Sequence, residues 1–188
     1  MKAQTIIAFD LSLTATGYAI GRLSEPSDSG LRSPLINHGL IQPGKKVDGV
    51  QRLNVILTRV APFVSTDALV ILEGFSFASN GSYAREIAGL GWLVRWWLHK
   101  RGVRYLEIAP AQLKKFVAGK GNADKDLMLK EVLKRFALDL DNHNVADAVG
   151  LLYIGLALIG NWQPTTDQQR AVVTAVRNSN RTLLESLE

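Results

Sequence analysis

Thr5-Ile6-Ile7-Ala8-Phe9-Asp10-Leu11-Ser12-Leu13-Thr14-Ala15-Thr16-Gly17-Tyr18-Ala19-Ile20-Gly21 is the stretch on which the reading of the chain turns. Its first five residues are apolar or β-branched and read as a buried strand. Residues 17–21 read as a second strand, joined to the first by a tight segment around residues 12–16. Asp10 stands where the first strand ends and the chain must turn, so its carboxylate points out of the sheet end, where ligands usually sit. A turn-forming aspartate is the ordinary explanation of such a residue, and only further acids at the same end displace it.

Outward from this pair, residues 24–35 are rich in Ser, Pro, Gly and Asp and read as a loop. Residues 37–41 follow as a third, edge strand, so the opening of the chain is an antiparallel meander. From Val47 the period changes: Val50, Leu53, Ile56, Leu57, Val60 and Phe63 recur at three and four residues, as in an amphipathic helix. Residues 68–72 are a continuous apolar run and read as a central buried strand. A helix over 82–100, a strand over 103–108 and a short helical piece from Pro110 to Val117 come next. Residues 119–122 form a flexible loop, 123–136 a basic helix, and 145–159 a last buried helix. Residues 165–188 are polar with one weak apolar period, a helical or partly mobile tail. The sum is one mixed-sheet α/β domain over 1–162, followed by that tail over 163–188.

Composition narrows the function classes. Cysteine is absent, which removes disulfides and thiolate metal sites and fits a reducing compartment. The apolar run before Asp10 is too short for a signal-peptide core. Residues 149–160, the longest apolar run, fall well short of the roughly 20 that span a bilayer. A cytoplasmic protein with no membrane partner is the expectation. The formal net charge of +5 favours polyanions, because each phosphate contact releases condensed counterions.

Further acids do accompany Asp10. Glu73 directly follows Val70-Ile71-Leu72, so a second carboxylate ends a buried strand. Unpaired it would be costly to ionise there, and two acids at neighbouring strand ends repel unless a cation lies between them. The third element is His143-Asn144-Val145-Ala146-Asp147, where residues 143 and 147, or 144 and 147, can share a helical face. Asn144 alone would be an ordinary cap, but the helix beyond is nearly all apolar and gives Asp147 a buried setting. Oxygen ligands from Asp and Glu suit Mg²⁺ or Mn²⁺. Two such ions can activate water and stabilise the leaving oxygen in phosphodiester hydrolysis.

In four ordered blocks the sequence resembles the RuvC family of the RNase H-like superfamily. They are Phe9-Asp10-Leu11-Ser12-Leu13-Thr14-Ala15-Thr16-Gly17-Tyr18, Ile71-Leu72-Glu73-Gly74-Phe75, the segment 109–125 with its Gly119-Lys120-Gly121 loop, and residues 143–148. The resemblance runs from about residue 5 to residue 158. It implies an RNase H-like α/β fold, a central mixed five-stranded sheet with helices on both faces. It also implies a metal-dependent endonuclease that resolves Holliday junctions by paired symmetrical nicks, leaving 5′-phosphate ends. A general branched-DNA or flap nuclease of the same fold and a non-cleaving junction-binding protein are the alternatives. Leu11-Ser12 in place of the family's usual Pro-Gly, together with the longer tail, points to a divergent, phage-type branch.

Carried over by position, Asp10, Glu73 and Asp147 match the family's metal-binding carboxylates. A fourth ligand falls on His143, Asn144 or Asp141, with His143 favoured because a neutral imidazole binds metal or orients water. Lys114 and Lys125 match lysines near the scissile phosphate, and Lys125 can stabilise transition-state charge. Lys115 and Lys120 lie in the same basic stretch and are expected to hold DNA backbone. Phe75 or Phe77 corresponds to an aromatic that stacks on unpaired bases, a contact of about 1–3 kcal/mol per base. Trp92, Trp96 and Trp97 mark either a homodimer interface, which two symmetrical cuts require, or plain core burial.

Overall fold

The computed structural model describes residues 5–23, 34–75 and 81–185. Three antiparallel strands, β1 (Thr5–Asp10), β2 (Thr16–Leu23) and β3 (Pro34–Ile41), are followed by α1 (Gly49–Val60) and a 3-10 turn (Ala61–Phe63). Then come β4 (Leu69–Glu73), α2 (Ser82–Lys100), β5 (Arg104–Ile108), α3 (Pro110–Ala118), α4 (Lys125–Phe136) and α5 (His143–Leu158). α6 (Asp167–Ser179) and α7 (Arg181–Glu185) complete it. The sheet order is β3-β2-β1-β4-β5, with β4 and β5 parallel to β1. This is the mixed five-stranded α/β arrangement that the resemblance implies.

The continuous apolar run of β1 has a direct explanation. Ile6 and Ala8 face a core shared with α3, α4 and α5, whereas Ile7 and Phe9 face a second core shared with α1 and α2. A strand covered on both faces cannot alternate apolar with polar residues. α5 is buried nearly all round and lies across β1 and β2. Its approach requires Gly17, because a Cβ there would stand 2.0 Å from the Asn144 carbonyl oxygen.

Three expectations shift. α1 buries only Ile56 and Val60, and Val50 in its first turn is 83% exposed. The apolar period is real: Leu53, Ile56, Leu57 and Val60 pack against the α2-side core, and only Val50 at the start of the helix stays outside it. The cap of α5 is Asn142, not Asn144: the Asn142 Oδ1 accepts from the Asn144 and Val145 amides. In the C-terminal segment, α6 opens on a Thr166–Gln169 capping box and buries Val172, Val173 and Val176 in the α5-side core. Trp162, just before it, packs among Phe116, Phe136 and Tyr153. Among the described residues no helix is long and apolar enough to cross a membrane.

Candidate active site

The sheet order places two of the acids side by side. In the parallel pairing Phe9 stands opposite Leu72, so the next residues, Asp10 and Glu73, leave adjacent strands at one end of the sheet. Asp147, one turn into α5, is brought to the same end by the docking of that helix on β1 and β2. The turn between β1 and β2 is braced for this purpose. The Ser12 amide donates to Thr16 Oγ1 at 3.0 Å, and that hydroxyl donates to the Ser12 carbonyl at 2.9 Å. The Asn144 side-chain amide donates to the Ala15 carbonyl at 2.5 Å and ties the first turn of α5 to the same turn.

Electrostatically the three acids act on one another. Burial, then the charges of Glu73 and Asp147 and a hydrogen bond with Glu73, push Asp10 well above the carboxylate range; Lys125 opposes them. Burial also raises Glu73, against the hydrogen bond with Asp10 and the charge of Lys114. Asp147 is pushed up to about 7 by burial and by Glu73, with Lys114 and Lys125 pulling the other way. Without a cation, such a cluster holds protons at neutral pH. Among the described residues no three acidic or imidazole groups are placed so that they could hold a metal ion between them. The Asp10 and Glu73 carboxyls instead act on each other at the ends of neighbouring strands. A shared proton is what this geometry suits, and a hard divalent cation is what the all-oxygen donor set fits once that proton leaves.

Asp10, Glu73 and Asp147 line one cleft of about 900 Å³ together with Lys114, Lys125 and Phe75. Lys114 is half-buried, and Lys125 is exposed at the first turn of α4. Tyr83, Arg85 and Trp92 from α2 continue the Phe75 wall, with the Phe75 and Trp92 rings 5.6 Å apart.

The other expected residues lie elsewhere. His143 and Asn144 are not among the cleft residues, and the His143 Nδ1 is buried without a hydrogen-bond partner. Asp141 lines a separate groove with His38 and Asp139. Lys115 and Lys120 are exposed outside the cleft. Farther along the basic stretch, Lys134 and Arg135 are engaged by Glu131. Phe77 lies outside the described residues. Trp92 and Trp96 are 65% and 58% exposed, whereas Trp97 is half-buried against the α2-side core.

Sequence reasoning missed Arg95, which is buried behind Glu73 and Phe75. The signal was available: residues 91, 95 and 98 fall on one helical face, and Gly91 and Leu98 are apolar or small. A charge on that stripe demands buried partners.

The chain is similar to known proteins over most of its length. The family described as crossover junction endodeoxyribonuclease RuvC matches residues 6–155. The RuvC of Chloroherpeton thalassium is 26% identical over 153 residues, covering 80% of this chain and 78% of its own. That of Brachyspira hyodysenteriae is 24% identical over 147 residues, covering 77% and 89%. Among solved structures, Thermus thermophilus RuvC superposes with a TM-score of 0.61 at 19% identity, covering 85% of this chain and 99% of its own. The same Thermus protein has also been solved in complex with a Holliday junction substrate.

Proposed function

The chain belongs to the RuvC family, the crossover junction endodeoxyribonucleases, and from that premise we propose how its cleft resolves a Holliday junction. The activity is metal-dependent endonucleolytic cleavage of the four-way junction, by paired symmetrical nicks that leave 5′-phosphates. One observation carries the assignment of the site: Asp10, Glu73 and Asp147 come from three separate elements into one cleft that also holds Lys114 and Lys125.

Asp10, Glu73 and Asp147 are the residues that would hold the metal, and their hard oxygen donors favour Mg²⁺, with Mn²⁺ as its substitute. A divalent cation bound there supplies the positive charge that activates water and stabilises the leaving oxygen. The protein's own work is positioning. Carboxyls whose pKa values are raised by burial and by one another, Asp10 and Asp147 among them, must lose protons to bind a cation, which couples cation binding to pH. Lys114 and Lys125 place positive charge along the same wall, where a phosphate would lie against them. Phe75, which lines the cleft, offers an apolar ring to bases left unpaired at the branch point.

Two strands are cut, so a second cleft is needed, and we propose that it comes from a second copy of the chain. The exposed indoles of Trp92 and Trp96, one turn apart on α2, support that homodimer contact. A cysteine-free chain of this activity is assigned to the cytoplasm of a bacterial or phage-infected cell.

Cleavage of a labelled four-way junction, alongside linear duplex and flap, in Mg²⁺ or EDTA, tests the reading. Symmetrical nicks confined to the junction and lost in EDTA are expected. Equal cutting of flaps would make the chain a general branch nuclease, and tight binding without cutting would make it a junction-binding protein.

A further inference from the structure

Among the described residues Arg95 is the buried cation, only 2% exposed on the inner face of α2. Its guanidinium is occupied on every side. Nε and Nη2 donate to the two Glu107 carboxylate oxygens on β5, at 3.0 and 2.8 Å. Nη2 also donates to the Glu73 carbonyl at 3.2 Å, and Nη1 donates to the Gly91 carbonyl at 3.0 Å. The face of the group lies 4.2 Å from the centre of the Phe75 ring. Gly91 makes room for this stack: a Cβ there would stand 2.5 Å from the Phe75 ring and 3.0 Å from Arg95 Nη1.

Arg95 is buried but its partner Glu107 is 41% exposed, so the pair is weak support for stability: desolvating the guanidinium offsets much of an attraction that solvent already screens. What this one does instead is geometric. β4 ends at Glu73, and the next residue is already pinned to β5 by a 2.8 Å bond from the Gly74 amide to the Ile108 carbonyl. Arg95 grips the same exit from the other direction, at the backbone of Glu73 and at the ring two residues on.

We propose that Arg95 is a positioning residue of the cleft: its fork to Glu107, its bond to the Glu73 carbonyl and its stack on Phe75 fix the Glu73 carboxyl and the aromatic wall in one geometry. This rests on reading the cleft as the metal-dependent site. Outer partners of metal ligands act in this way, and their loss typically weakens metal affinity or activity by roughly 10–100-fold. Lysine cannot replace the fork, because an ammonium has no planar pair of donors.

Three measurements test it on the full chain: thermal melting, calorimetric titration of the DNA-free protein with Mn²⁺, and single-turnover cleavage of a four-way junction in Mn²⁺. The variants are Arg95→Lys and the double variant Arg95→Met with Glu107→Leu, which removes both charges together and takes the donor from the Glu73 carbonyl. The double variant is expected to melt within a few degrees of the parent yet bind Mn²⁺ about 10-fold more weakly. Its saturating cleavage rate should fall by a similar factor, with the half-saturating junction concentration little changed. Arg95→Lys should show the same split, so the proposal is read from it if the double variant does not fold. Parental Mn²⁺ affinity and rate in a variant that has lost the fork would overturn the proposal and reduce Arg95 to a packing element. The titration needs no DNA, so a parent protein that binds Mn²⁺ but leaves junctions uncut refutes the resolvase reading, while the variants' affinities still decide Arg95.

Discussion

Asp10, Glu73 and Asp147 owe their perturbed protonation first to burial, and that has consequences in the metal-free chain. Asp147 titrates at about 7 in the folded protein, against about 3.9 for an unfolded aspartate. Between those values the folded chain holds the extra proton, so stability falls as pH rises through that window. In EDTA, the parent protein should therefore lose more melting temperature between pH 5 and pH 7.5 than Asp147→Asn does, and a parallel pair of profiles would refute the assignment. For activity, Asp10→Asn, Glu73→Gln and Asp147→Asn should each abolish junction cleavage while leaving junction binding within a few-fold. Substantial cutting by any one of them would mean the site is elsewhere. Lys114→Ala and Lys125→Ala should weaken junction binding and lower the slope of log affinity against log salt by about 0.9 for each phosphate that is no longer neutralised. At this scale the three acids were legible because each interrupts or ends an apolar stretch. A fourth ligand was not, because one capping choice decides it. Asn142 takes the cap, and Asn144 then spends its amide on the Ala15 carbonyl.

Elements carry the next level of dependence. α5 reaches the sheet at a point where β2 has no side chain, at Gly17. Gly17→Ala should force the first turn of α5 away and take Asp147 with it. An overpacking cost of about 1–3 kcal/mol is expected, with weaker Mn²⁺ binding and slower cleavage. Unchanged melting and Mn²⁺ affinity would show that the helix can shift without cost. Helices and strands were readable from periodicity, and their order gave the mixed sheet. What periodicity left open was depth. The apolar positions of α1 repeat as they should, and Leu53, Ile56, Leu57 and Val60 reach the α2-side core, yet Val50 in the first turn stays 83% exposed. Period reports which residues share a face, and not where the face stops meeting its partner.

Across the whole molecule two cores flank one sheet, and α6 closes the α5-side core with Val172, Val173 and Val176. In sequence, residues 163–188 carry one weak apolar period, with Val172, Val173 and Val176 at helical spacing, and that period does not say what the face packs against. In place, these valines are covered. Removing the segment should uncover the cluster of Phe116, Phe136, Tyr153 and Trp162 and lower the melting temperature by several degrees. Quaternary structure gives the remaining prediction. Trp92→Ser with Trp96→Ser should shift sedimentation at micromolar concentration from dimer to monomer, and a monomeric parent would remove the interface altogether. The exposed tryptophans were visible in the sequence as an excess, but only their exposure separates a contact surface from core.

The three carboxylates stand at positions 10, 73 and 147 of 188, on strands and a helix that meet only through long-range packing. During synthesis the N-terminal sheet can begin to form well before α5 has been made. The cleft is incomplete until its last acid has emerged and docked over Gly17. If these three acids are the site, a nascent chain should gain cutting competence only once α5 has been made and docked, near the end of synthesis.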